Sequence, residues 1–179
     1  MILEHTTHAG YIRQDDVYTD HNGVNYTVYQ DTDAEDPRSW LTHEEVALVV
    51  INADRNTRTD NINDYDDNPV INDLLQVMEK HDIDDPSAVS SAWLEEWIHN
   101  TKPEHPSYDI EMMTIHTSQS SWFTVIAAVK EGYGSARDNI DTFAAWVRGD
   151  VWVVSPDHPD YDTLCGIYAD DPESAVKYY

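Results

Sequence analysis

Apolar positions along this chain repeat with two periods. Val46-Ala47-Leu48-Val49-Val50-Ile51 is an unbroken apolar run and Trp122-Phe123-Thr124-Val125-Ile126-Ala127-Ala128-Val129 is apolar but for Thr124, the pattern of strands covered on both faces, and both read as central strands. Val17-Tyr18-Thr19 and Val24-Asn25-Tyr26-Thr27-Val28-Tyr29 flank His21-Asn22-Gly23, and Asn-Gly between β-formers predicts a hairpin. Tyr11-Ile12-Arg13 is a further short strand candidate, and residues 1–9 are expected to be loosely ordered. Tyr108 to His116 has strand character, and Val151-Trp152-Val153-Val154 is expected to pair with Thr163 to Tyr168 across a turn at 155–160.

The helical period appears where the apolar residues are spaced by three and four. Ile71, Leu74, Leu75 and Met78 share one face behind Pro69. Val89, Trp93 and Trp97 share another, in a helix expected to open with Asp85 as N-cap and Pro86 behind it, both tryptophans being read as core. Ile140, Phe143, Ala144 and Val147 form the third face, between a Ser135 cap and a terminating Gly149, and Pro172 opens a short last helix from Glu173 to Tyr178. The strand, helix and strand from Trp122 to Val154 have the clearest periodicity. The expected fold is α+β: a mixed or antiparallel sheet packed by about three helices, residues 1–179 forming a single domain. Ala53 to Asn68 is too polar to pack and reads as a mobile acidic loop, while Trp40 reads as an anchor onto the core.

Charge changes the picture more than hydropathy does. The 179 residues hold 35 Asp and Glu against 10 Lys and Arg, a formal charge of −25 with histidine neutral. Such a chain repels nucleic acid and anionic membranes and attracts basic surfaces. Duplex DNA has one charge per ~1.7 Å of axis, so the same charge occupies roughly 43 Å of duplex. A compact domain of this length is about 40 Å across, so the charge per unit length is DNA-like. The competing reading is a salt-adapted or phage structural or regulatory protein whose charge serves solubility, since Asp exceeds Glu and the lysines are only Lys80, Lys102, Lys130 and Lys177. A single cysteine, Cys165, excludes an internal disulfide, and its apolar setting suggests a buried, inert thiol. No signal-peptide pattern or apolar span is present, so the expected location is the cytoplasm of a host cell.

Motifs for chemistry fall short one by one. The 6 glycines include no phosphate-binding spacing. His43-Glu44-Glu45 begins like a zinc-protease motif, but Ala47 stands where the second histidine belongs. Counted from Asp31, a calcium loop would need Gly at Asp36 and Glu at Thr42. A carboxylate- or metal-dependent enzyme stays a second alternative, because among 35 acids some close pair is inevitable. The expectation is therefore a non-enzymatic protein without cofactor or metal.

The acids themselves form the candidate partner-binding surface. They cluster as Asp31, Asp33, Glu35 and Asp36; as Asp60, Asp64, Asp66 and Asp67; as Asp82, Asp84 and Asp85; and as Asp157, Asp160, Asp162, Asp170, Asp171 and Glu173. Most charge runs are solvated faces. Read functionally, these are phosphate surrogates that fill the groove of a basic nucleic-acid-binding protein of a host. Asp31-Thr32-Asp33 through Pro37-Arg38-Ser39-Trp40, with Phe143 through Trp146, Gly149-Asp150-Val151 and Cys165-Gly166-Ile167-Tyr168, resembles small acidic proteins of actinobacterial phages. The resemblance covers about an eighth of the chain and implies phage origin, but no catalytic residue. In composition the chain is also similar to phage DNA mimics that inhibit restriction or CRISPR nucleases. The expected function is inhibition of that kind, without direct contact to nucleic acid or membrane, and a homodimer is left open.

Overall fold

The computed structural model describes residues 4–9, 14–53, 60, 62–84, 88–117 and 122–178. In chain order the strands are β1 Glu4–Ala9, β2 Gln14–Thr19, β3 Asn25–Gln30, β4 Val46–Ala53, β5 Tyr108–His116, β6 Trp122–Lys130, β7 Val151–Pro156 and β8 Leu164–Tyr168. The helices are α1 Arg38–Leu41, α2 Pro69–Lys80, α3 Ser91–Thr101, α4 Ala136–Arg148 and α5 Pro172–Val176, with a 3₁₀ turn at Ile62–Tyr65. The α+β expectation holds, with two antiparallel sheets in place of one and five helices in place of about three. The chain divides into two compact units, residues 37–144 and residues 1–36 with 145–179.

In the 37–144 unit the sheet order is β4-β6-β5. Ala47, Val49 and Ile51 of β4, Ile126 and Ala128 of β6 and Ile110 of β5 face one way and pack with Ile71, Leu74 and Met78 of α2 and Leu94, Trp97 and Ile98 of α3. The alternate positions face the other way, where the Phe123 ring meets Phe143 of α4 edge to face at 6.3 Å. Val125 to Val129 are therefore buried without exception. β6 is the central strand as its apolar run implied. β4 is equally buried but lies at an edge of the ladder, because an apolar run reports two covered faces and not two hydrogen-bonded neighbours.

That edge is closed by a side chain. Asp60 accepts a hydrogen bond from the Val50 amide at 2.8 Å, next to a register shift in β4, while its own amide donates to the Val50 carbonyl at 3.0 Å. Arg38 pairs with Asp60 at 2.6 Å and lies over the Phe143 ring at 5.1 Å. This cation, and not Trp40, ties the segment down: Trp40 is 51% exposed, since a four-residue helix offers no second face to bury it. Of the stretch read as a mobile loop, residues 54–59 and 61 lie outside the described residues. Ile62 beyond them is buried and Tyr65 packs on the same core.

In the other unit the order is β1-β2-β3-β7-β8, with α5 on one face over Tyr18, Tyr26, Val28, Val154 and Ile167. Residues 4–9 form a strand although no local pattern announces one; their order comes from pairing with β2. The candidate strand at 11–13 lies outside the described residues. The β2–β3 hairpin turns through residues 20–24, Gly23 taking a φ of 80°, and Asp20 accepts from the amides of Asn22 and Val24 at 2.8 and 2.9 Å. Cys165 is exposed on the edge strand β8, so it is not the buried thiol its neighbours suggested.

Helix α4 begins and ends as its sequence dictates. Ser135 Oγ accepts from the Asp138 amide at 3.0 Å. Gly149 takes a φ of 81°, and the amides of Gly149 and Asp150 close back on the carbonyls of Trp146 and Ala145. Helix α3, by contrast, starts at Ser91 behind a Ser90 cap; Asp85 and Pro86, expected to open it, lie outside the described residues. Three outcomes follow for stability. Gly149→Ala should cost about 1–2 kcal/mol for the left-handed backbone and more on top, because its Cβ would collide with the Gln30 amide that now donates to the Gly149 carbonyl. Gly23→Ala, with open space around it, should cost the backbone share alone. Phe143→Ala should cost about 3–5 kcal/mol. Urea unfolding curves would rank the three.

Candidate functional site

The acid surplus belongs to both units. Residues 1–36 and 145–179 hold 15 Asp and Glu against 3 Lys and Arg, and residues 37–144 hold 20 against 7. With so few cations, many carboxylates serve backbone amides instead. Besides Asp20 and Asp60, Asp109 reaches the Ala136 amide at the start of α4 at 2.8 Å, and Asp171 caps α5 through the Ser174 amide at 2.7 Å. Asp31 accepts from the amides of Asp33 and Gly166. Asp has the short side chain that such local bonds need, which gives a structural reason for 24 Asp against 11 Glu.

The candidate acids therefore separate. Asp31, Asp60 and Asp171 are built into turns, edges and caps. Glu173 pairs with Lys177 at 3.5 Å, one helical turn on. Asp33, Glu35, Asp64, Asp66, Asp67, Asp82, Asp84, Asp157, Asp160, Asp162 and Asp170 are exposed, and Asp36 is half-buried. Asp85 lies outside the described residues.

The group from 157 to 173 does not stay together. β8 runs between its halves, and five residues of strand span about 17 Å. Asp157, Asp160 and Asp162 sit in the β7–β8 turn, where the Asp157 amide donates to Asn25 beside the β2–β3 hairpin. Asp170 lies at the other end, with Asp150. Burial raises the Asp150 carboxyl above its ordinary range and Asp170 pushes it further, against the pull of Arg148. Asp31, Asp36 and Glu35 gather there as well: burial raises the Tyr168 phenol, and these three acids add to the rise. From α5, Asp171 and Glu173 act on Tyr18 together with Asp16. Burial foremost, then these charges, push its pKa up to about 12.

In the 37–144 unit, Asp64, Asp66 and Asp67 stand just before α2 and Asp82 and Asp84 just after it. The first three suit the positive end of the helix dipole; the last two oppose its negative end. Asp82 is also left-handed, with a φ of 54°, and its amide and that of Ile83 close onto the carbonyls of Glu79 and Met78. It fills the position that terminates α2, where glycine is preferred.

Sequence reading missed one feature of this unit. Val77 and His81 of the α2 end, Trp93, Glu96, Trp97, Asn100 and Thr101 of α3, and Glu104 beyond it line a groove of about 380 Å³. Trp97 is buried, but Trp93 is only half-buried, with the His81 ring edge-on at 6.5 Å. The i, i+4 tryptophan pair was the available signal, and periodicity alone assigned both to the core. Among the described residues no three His, Cys, Asp or Glu side chains are arranged to hold a metal ion, and no helix is long and apolar enough to cross a membrane. No family model, no curated protein and no solved structure matches the chain.

Titration should expose these placements. Because folding raises the Tyr18 pKa to about 12, its contribution to stability is intact below pH ~10, the unfolded value, and is lost as pH rises from there to about 12. Asp171→Asn with Glu173→Gln should lower that pKa, read by the ultraviolet absorbance of phenolate. Asp20 behaves oppositely. The Val24 amide first, then that of Asn22, hold its carboxyl below its usual range, so Asp20→Ala should destabilise at pH 7 and the difference should fade on acidification. Asp82→Gly should stabilise by roughly 0.5–1 kcal/mol, relieving both backbone and dipole.

Proposed function

We propose that the chain is a non-enzymatic acidic inhibitor that occupies the nucleic-acid site of a basic host protein, in the manner of a phage DNA mimic. The observation that carries this reading is the charge surplus held by each unit separately and set on exposed turns at 33–35, 64–67, 82–84 and 157–162. Asp82 adds weight. A carboxylate held left-handed at the negative end of a helix is worse for stability than glycine, and such positions are found where a side chain has another use. The mechanism is competition: the acids replace phosphates, steer encounter and discriminate against acidic partners. The inhibited protein is of the restriction or CRISPR nuclease type, in the cytoplasm of the host. Asp31, Asp60 and Asp171 hold the scaffold, and the exposed acids meet the partner.

A bacterial lysate passed over the immobilised chain at low and at high salt tests this. A basic nucleic-acid-binding protein should be retained at about 50 mM salt and released by about 500 mM, and DNA should compete for it. Asp157→Asn, Asp160→Asn and Asp162→Asn together should weaken retention at least about tenfold while leaving the fold intact, since rim charges act on encounter more than on packing. If no such protein is retained at low salt, mimicry is wrong. A fold that forms only in molar salt, followed by circular dichroism, would favour charge that serves solubility.

A further inference from the structure

We propose that the groove between α2 and α3 is a receptor for an arginine side chain of a basic polypeptide. The inference rests on the basic-partner reading and names the contact that would give it specificity. Two aromatic rings and two carboxylates converge there: Trp93 and Trp97 with Glu96 and Glu104. Among the described residues no Lys or Arg lines the groove, and its carboxylates are Glu96 and Glu104. A guanidinium suits this combination better than other cations. It is planar and stacks on indole, it presents a fork of donors to carboxylates, and it is less strongly hydrated than an ammonium. An anionic or purely apolar ligand would leave Glu96 and Glu104 opposed or desolvated.

A second observation points to a polypeptide and not a free cation. The indole N–H of Trp97 is buried and has no hydrogen-bond partner among the described residues. Two other indoles differ: Trp146 donates to the Ala34 carbonyl at 3.1 Å and Trp152 to the Ala169 carbonyl at 2.8 Å. A buried donor without an acceptor is costly, and a ligand that brings one relieves the cost. The main chain carrying an arginine supplies carbonyl oxygens; a bare guanidinium supplies none. Trp97 lines the groove while its N–H is closed to solvent in the free chain, so a ligand carbonyl would reach that N–H only where the groove opens.

The groove acids, Glu96 and Glu104, are outside the acidic clusters on the turns, so the two readings can fail separately. The test uses the full chain in ¹H–¹⁵N correlation spectra, whose 6 indole resonances include Trp93 and Trp97, assigned through Trp93→Ala and Trp97→Phe. N-acetyl-arginine N-methylamide should shift both resonances saturably with a Kd on the order of 1 mM, the range of a single weak contact. The citrulline counterpart, equal in shape and neutral, should not. Methylguanidinium should bind at least about tenfold more weakly, as it offers no carbonyl. Glu96→Gln with Glu104→Gln should weaken the arginine amide at least about tenfold, the remaining spectrum reporting an unchanged fold. An absent shift, an equal response to citrulline, or full binding by the Gln pair would overturn the site. Methylguanidinium binding as tightly as the amide would overturn the polypeptide occupant. Salt-sensitive capture of a basic protein together with a silent groove would sink this inference alone.

Discussion

Like-charge repulsion is the constraint under which this chain folds. With 35 carboxylates and 10 Lys and Arg, ion pairing neutralises only a minority of the acids. A compact state that gathers such charge is destabilised by its own field. Two features oppose it. One is dense apolar burial: β6 is covered on both faces from Val125 to Val129, and β4 from Val46 to Ile51. The other is the use of carboxylates as acceptors for backbone amides, at the β2–β3 hairpin, the β4 edge and the starts of α4 and α5. There a negative charge meets a positive dipole and stabilises local structure, so the acid load becomes partly self-supporting.

This division of labour orders the acids by role. Those bonded to backbone sit in the folds of the chain, as Asp60 does between Arg38 and the Val50 amide. Those on turns, such as Asp33, Asp66, Asp67, Asp157 and Asp162, are exposed to solvent. Asp82 lies between the groups. It terminates α2 in a conformation that favours glycine and at a helix end that favours cations, so stability does not explain its carboxylate. The α2–α3 groove beside it carries a different signature: aromatic walls, two acids and an indole donor without a partner among the described residues. In the proposed function, turn acids and groove act on the same class of partner by different physics, one through long-range attraction and the other through contact.

The sequence by itself determined the elements whose signals are local. The apolar runs of β4 and β6, the stripes of α2 and α4, the Ser135 cap, Gly149 and the Asn22-Gly23 hairpin all arise from the preferences of neighbouring residues, and each stands where the pattern placed it. Composition likewise determined the charge. Only tertiary structure decided what depends on pairing between distant segments. β6 and β7, adjacent to α4 in sequence, entered different sheets; residues 4–9 became a strand by pairing with β2; and β4 became an edge. Ladder neighbours are chosen by long-range register, which side-chain periodicity does not encode. The same holds for the acids. Their number was legible, but which of them would find a backbone amide, and that a helical tryptophan pair packed on the core would also line a groove, depended on segments far apart in the chain.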